Sequence, residues 1–156
     1  NWQLHLLGSG PDKARLQSLA RELGIAARTH FDAPRPSSEM PQYYQQLDLV
    51  VLPSRTRKNW KEQFGRVLIE AMACEVPVIG SDCGEIPNVI GDAGIVFPED
   101  DVAALRAHIE TLQRDPARRR ELGERGRARV LAHFTQARIA QETYAVYRQI
   151  RGIMEA

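Results

Sequence analysis

Apolar residues along this chain fall in short runs that alternate with amphipathic stretches, and that alternation sets the expected elements. Trp2 to Leu7 reads as a buried strand, stopped by Gly8-Ser9-Gly10-Pro11. From Pro11 or Asp12 to about Leu23 the apolar positions Leu16, Leu19 and Leu23 recur at helical spacing, with Gly24 as the stop. Ala27 to Phe31 predicts a second strand, residues 32–38 a loop, and Glu39–Gln46 a short helix. Leu47 to Leu52 is a nearly continuous apolar run ended by Pro53-Ser54, the pattern of a parallel strand covered on both faces. After a polar loop from Arg55 to Lys61 come a helix at about Gln63–Cys74, a strand at 76–80, a loop with room for a short helical turn at 81–91, and a strand from Ala93 to Phe97.

From Asp100 onward the pattern is helical. Val102, Leu105, Ile109 and Leu112 form one stripe, and Leu122, Gly126 and Val130 another. Asp115-Pro116 predicts an N-cap followed by proline at the first helical position. Thr135 predicts the cap of a last helix, with Ile139, Tyr147, Ile150 and Met154 toward the core. Strands alternating with helices at this spacing predict an α/β fold, a doubly wound parallel sheet of Rossmann-like kind with a helical C-terminal segment. Ligands of such sheets sit beyond the carboxyl ends of the strands, so the loops at 8–11, 32–38, 53–65 and 80–88 are the places to look.

Composition narrows the function without naming it. The chain has 156 residues, enough for one domain with a core, and 43% hydrophobic with 26% charged residues excludes a disordered chain. Lys and Arg number 21 against 20 Asp and Glu, a net charge of +1 that draws the chain toward neither nucleic acid nor membrane. Cys74 and Cys83 read as free thiols in a reducing cytosol, so the expected location is cytoplasmic. The four histidines are too scattered for a metal cluster, and no Cys/His ligand spacing is present.

The chemistry concentrates in Glu62-Gln63-Phe64-Gly65-Arg66-Val67-Leu68-Ile69-Glu70. Two carboxylates bracket a glycine and an apolar run. A glycine at a helix start lets a phosphate approach the backbone, and the free N–H groups and positive dipole end then hold it. Eight positions of helix span about 12 Å, roughly the reach from a ribose to a sugar across a pyrophosphate. Glu70 sits in an apolar helical segment and fits either two ribose hydroxyls or an i,i+4 pair with Arg66. Glu62 fits either sugar hydroxyls or the helix dipole. Gly65 in a first helical turn costs roughly 1 kcal/mol against alanine, which favours a contact reason for it.

Other features are weaker. Gly8 and Gly10 after a strand suggest close approach to a ligand, but a dinucleotide fingerprint wants a third glycine where Lys13 stands. Asp32 keeps open a dehydrogenase reading, with the acid on a ribose. Seven arginines from Arg114 to Arg129, diluted by Asp115, Glu121 and Glu124, read as a solvated helix face more readily than a nucleic-acid contact.

Val51-Leu52-Pro53-Ser54, the block from Trp60 to Ala73, Val76-Pro77-Val78-Ile79-Gly80-Ser81 and the run from Gly84 to Gly94 together resemble the signature of glycosyltransferase family 4, the group 1 glycosyl transferases of GT-B fold with an E-x7-E motif. The likeness extends to Gly8-Ser9-Gly10-Pro11 and to Leu122-Gly123 and Phe134. It implies a donor-binding domain, the C-terminal half of a GT-B enzyme, over residues 1–156. It further implies a retaining transfer of a hexose from a UDP- or GDP-sugar, with no metal and no cofactor. By motif match Glu62 is the candidate catalytic residue, holding donor-sugar hydroxyls. Gln63, Phe64, Gly65, Arg66 and Val67 contact sugar and phosphate, and Glu70 takes the ribose. Gly8 and Gly10 line the diphosphate, and Arg35 and Pro36 lie by the base. The resemblance departs at Glu75 and Ala33, where relatives often carry glycine. It also implies that an acceptor-binding N-terminal domain and the basic pair that neutralises the diphosphate lie outside this chain, so that this stretch alone binds donor weakly and transfers nothing. A non-catalytic nucleotide-binding module is the rival reading.

Overall fold

The computed structural model describes residues 2–154, whose elements follow the expected order. Strand β1 (Leu4–Leu7), helix α1 (Lys13–Glu22), a 3-10 turn (Ala26–Arg28) and strand β2 (Thr29–Asp32) come first. Then follow α2 (Met40–Tyr44), β3 (Val50–Leu52), α3 (Arg66–Ala73), β4 (Val78–Ser81), α4 (Ile86–Ile90) and β5 (Ile95–Phe97). Helices α5 (Val102–Arg114), α6 (Pro116–His133) and α7 (Gln136–Met154) close the chain. All strand pairings are parallel, but they form two sheets: β1 with β2, and β3-β4-β5 with β4 in the middle. The residues divide accordingly into two compact units, Asn1–Met40 and Pro41–Ala156.

In the first unit, β1 pairs Leu4 with Thr29 through Leu7 with Asp32. The expected buried strand is not buried: Trp2 and Leu4 are each 41% exposed. Two strands and one helix have too little apolar area to cover both faces of a parallel sheet. For the same reason Leu19 and Leu23 stay exposed, and Ala20 is the core residue of α1. Gly24 ends this helix at φ +69, as its position predicts.

The second unit holds the main core. Ile79, Phe97, Leu112 and Leu122 cluster, with Leu49, Val51, Ile95, Ala104 and Leu105 against them. Strand β4 is buried along its whole length because it has neighbours on both edges and helices on its faces. Helix α6 packs on α3 through two glycines. A Cβ on Gly123 would fall 2.2 Å from the Glu75 carbonyl oxygen, and one on Gly126 would press on Met72. Asp115 and Thr135 cap α6 and α7, accepting from the amides of Arg118 and Arg138, as their positions predict.

Two expectations fail here. Val102 is the most exposed large apolar side chain of the described residues and Ile109 is exposed too, so of the α5 stripe Leu105 and Leu112 face the core. On α7, Ile139, Tyr147 and Ile150 are exposed, so this stripe does not face the core of its unit; the Met154 side chain lies outside the described residues. Periodicity reports which residues share a face, and tertiary contacts decide whether anything covers it.

Four of the α6 arginines are pinned to other elements, while Arg118 and Arg120 stay on the solvated face. Arg127 donates to the Ala73 carbonyl at the end of α3, and Arg129 to the Val89 and Asn88 carbonyls at the end of α4. Arg119 donates to the Leu112 and Gln113 carbonyls of α5, and Arg125 to Asp92. Cations thus meet the negative, unsatisfied ends of three helices.

Candidate functional site

The site is built where α3 starts. The helix begins at Arg66, not at Gln63, so residues 62–65 form an irregular turn ahead of it. The span of about 12 Å assumed helix throughout; only the stretch from Arg66 to Glu70 is helical. Gly65 occupies the N-cap position at φ +71, and a Cβ there would lie 3.1 Å from a Leu68 methyl and 3.2 Å from a Leu52 methyl. The left-handed backbone calls for glycine, and a Cβ would also crowd the two methyls. The amides of Arg66 and Val67 come too early in the helix to find an intrahelical acceptor, so they remain donors at its positive end.

Glu62 lies on this turn. Its Oε1 accepts from the Gly65 amide at 3.0 Å and faces the Phe64 amide at 3.5 Å, and its Oε2 accepts from the Ser54 hydroxyl at 3.3 Å. The Glu62 carbonyl in turn accepts from the Glu85 amide at 3.1 Å. That crossing is possible because residue 84 is glycine at φ +59, where a Cβ would sit 2.0 Å from the Glu62 oxygen. Ser54 is fixed from beneath: buried Ser81, at the end of β4, donates to the Ser54 carbonyl at 2.6 Å. The Phe64 ring packs edge-on against Phe134, 5.8 Å between centroids. Of the two alternatives for Glu62, the contacts within the chain are those of the helix-dipole role: the carboxylate caps the start of α3.

Glu70 stands on the first turns of α3 with both oxygens engaged. Oε2 accepts from the Tyr44 hydroxyl at 2.9 Å, and Oε1 lies 3.0 Å from the Arg66 Nε. The i,i+4 pair with Arg66 is therefore formed. Burial, and then the bond to the Glu70 carboxylate and its charge, raise the Tyr44 phenol well above its ordinary pKa. The Tyr44 O–H is thus a persistent donor.

The β3–α3 loop is tied to the loop after β5. The Thr56 amide and hydroxyl both donate to Glu99, at 2.7 and 2.6 Å, and the Glu99 amide donates to Asp82 at 2.7 Å. The Thr56 bonds hold the Glu99 carboxyl below its usual range. Arg55 pairs with Asp100. A small cavity of about 80 Å³ lies between these loops, lined by Pro53, Ser54, Arg55 and Ser81 among others. It is too small for a nucleotide and lies beside the Ser54 support.

The remaining candidates belong to the first unit. Gly8 follows β1 at φ +132 with its amide on the Asp32 carbonyl at 3.0 Å, and the Cβ positions of Gly8 and Gly10 both face open space. Pro36 opens a turn whose carbonyl accepts from the Glu39 amide, and Arg35 precedes it. Asp32 pairs with His5 at 2.9 Å, and His5 stacks on His30. Sequence reasoning missed Tyr44 and the Thr56–Glu99 tie, and it named Ser81 only as the end of a family block, without its bond to Ser54. No local pattern marks them, because each acts on a residue at least 26 positions away.

The departure at Glu75 has a structural cost. Glu75 follows the end of α3 at φ +60, with its amide on the Met72 carbonyl and the Val76 amide on the Ala71 carbonyl, each at 3.0 Å. This is the Schellman arrangement, whose left-handed residue is usually glycine.

The fold is α/β, and its candidate site is a glycine-opened helix start between two carboxylates. The chain belongs to the family "Glycosyl transferases group 1", whose model matches residues 1–129. It is 34% identical over 128 residues to a GDP-mannose-dependent alpha-(1-6)-phosphatidylinositol monomannoside mannosyltransferase of Mycolicibacterium smegmatis, covering 80% of this chain and 34% of that protein. Its structure is similar to that of sucrose-phosphate synthase from Thermosynechococcus elongatus, with a TM-score of 0.82, 34% identity, and coverage of 97% of this chain and 39% of that one. The fold also matches Anabaena HepE, solved in complex with UDP, at a TM-score of 0.82 and 22% identity over 95% of this chain and 41% of that one. The chain thus spans about a third of the length of the curated relatives it matches.

Proposed function

We propose that this chain is the donor-binding part of a retaining glycosyltransferase of family 4, acting on a UDP- or GDP-sugar. The observation that carries the reading is the Gly65 turn, which leaves the α3 amides open between Glu62 and Glu70. Glu62 would accept hydroxyls of the donor hexose. The amides of Arg66 and Val67 would hold its phosphates, those of Phe64 and Gly65 facing the Glu62 carboxylate, and the positive helix end would stabilise the leaving diphosphate. Glu70 would take the ribose diol by exchanging its Arg66 contact for two hydroxyl donors. Relatives named as a GDP-mannose-dependent mannosyltransferase and as D-inositol 3-phosphate glycosyltransferases support the reaction class, and HepE with bound UDP supports a nucleotide diphosphate ligand. The chemistry assigned to these residues uses no metal or cofactor. The two free thiols, Cys74 and Cys83, fit a reducing cytoplasm. No helix among the described residues is long and apolar enough to cross a membrane.

Mutating the two acids separately in the full-length protein tests the reading. Glu70→Ala should weaken UDP or GDP binding about tenfold to a hundredfold, the worth of hydrogen bonds to a charged group. Glu62→Gln should lower turnover about a hundredfold or more while nucleotide affinity holds. Nucleotide binding untouched by Glu70→Ala would refute the assignment.

A further inference from the structure

Tyr44 is a polar side chain in an expensive place. The residue is 3% exposed, at the end of α2, and its neighbour Tyr43 is buried too. A hydroxyl withdrawn from water needs a partner, and packing alone would be met by phenylalanine at lower cost. The partner here is a carboxylate 26 positions away, Oε2 of Glu70, at 2.9 Å. On the other side stands Arg66, an exposed cation whose Nε meets Oε1 at 3.0 Å. Arginine prefers to close on a carboxylate with two parallel bonds. A Glu70 free to rotate would be drawn into that fork, and an incoming diol would have to break it. A Glu70 with Oε2 already held keeps one oxygen away from Arg66 and leaves a single, exposed contact to displace.

We propose that Tyr44 is a positioning residue for Glu70: its buried hydroxyl anchors Oε2 so that the carboxylate stays oriented for the vicinal diol of a ribose instead of closing onto Arg66. This rests on the reading of Glu70 as the ribose acid. Tyr44 itself touches no ligand. Its contribution is to hold one rotamer of Glu70, which lowers the ordering cost of binding.

The test compares ribose with 2′-deoxyribose. UDP, GDP and their 2′-deoxy counterparts are titrated into the full-length protein and its variants. The unaltered protein should prefer the ribonucleotide about tenfold, and Glu70→Ala should abolish that preference. Tyr44→Phe should reduce the preference about threefold to tenfold, the range of one net hydrogen bond. Incorporating 4-aminophenylalanine at position 44 should restore it, since its N–H donates from the same place. A partly unfolded population lowers both affinities equally, so the ratio reads the interaction even if Tyr44→Phe is less stable. A Tyr44→Phe protein that keeps the full ribose preference overturns this proposal and leaves the donor reading standing. Absence of any ribose preference in the unaltered protein, or indifference to Glu70→Ala, brings down the donor reading and this proposal with it.

Discussion

Glu62 and Glu70 share one short segment, yet they are held by opposite means. Glu62 is gripped mostly by main chain: the Gly65 amide on its carboxylate and the Glu85 amide on its carbonyl, with one side-chain donor, the Ser54 hydroxyl, whose own backbone is fixed by buried Ser81. Glu70 is held by side chains alone among the bonds described for it, the buried Tyr44 on one oxygen and the exposed Arg66 on the other. A main-chain grip needs no side-chain ordering and allows little play. A side-chain grip is adjustable, and one of its two hands lies at the surface. The difference matches what each end of the proposed donor demands. The reacting sugar needs a carboxylate that does not move, because small misplacements are costly to rate. A ribose remote from the chemistry needs a carboxylate that can exchange a partner for two hydroxyls.

The contrast breaks most severely at Gly84. Gly84→Ala forces a left-handed alanine and drives its Cβ onto the Glu62 carbonyl oxygen, 2.0 Å away. We expect a loss of roughly 2–4 kcal/mol in stability, with turnover falling further than nucleotide affinity. Chemical denaturation and steady-state kinetics check this, and a stable, fully active variant would show that the Glu62 grip is dispensable.

A second experiment reads the buried hand on Glu70 through pH. The Tyr44 phenol is raised above its unfolded value, chiefly by burial and then by Glu70. The unfolded chain therefore gives up this proton first as pH rises. The associated stability is complete below about pH 10 and is lost as pH climbs past it. Denaturation profiles of the unaltered protein and Tyr44→Phe should converge above that value, and parallel profiles would mean that the hydroxyl is not held as described.

The smallest effect belongs to the exposed hand. Arg66 is 73% exposed, and i,i+4 pairs at a helix surface contribute about 0.5 kcal/mol or less. Arg66→Ala should leave the melting temperature within a degree or two and tighten or loosen nucleotide binding by less than about threefold. A tenfold loss would instead assign the guanidinium a direct role on the diphosphate.

The departures from expectation follow the same divide between local and tertiary causes. Helix caps at Asp115 and Thr135, the stop at Gly24 and the order of strands and helices were legible, because each depends on residues within a few positions. So was a helix start near Gly65, since a glycine just ahead of an apolar run marks one. The glycine missing at Glu75 was visible as a departure from the family pattern, and its meaning, a left-handed helix end, was not. The fate of amphipathic faces was not legible either. Helix α6 turns its glycines onto α3 and lays its arginines on the carbonyl ends of other helices, whereas α7, with a clear apolar stripe, leaves Ile139, Tyr147 and Ile150 exposed.

The amino-acid sequence by itself determined the α/β order, the glycine-opened helix start and its two flanking acids, because dihedral preference and hydrophobic period act over one or two turns. Only the tertiary structure decided that the helix begins at Arg66 and that Ser54, Ser81 and Gly84 lock Glu62. It alone placed Tyr44 beneath Glu70. Those contacts join residues far apart in the chain, and a hydrogen bond is specified by where its atoms arrive rather than by the residues beside them.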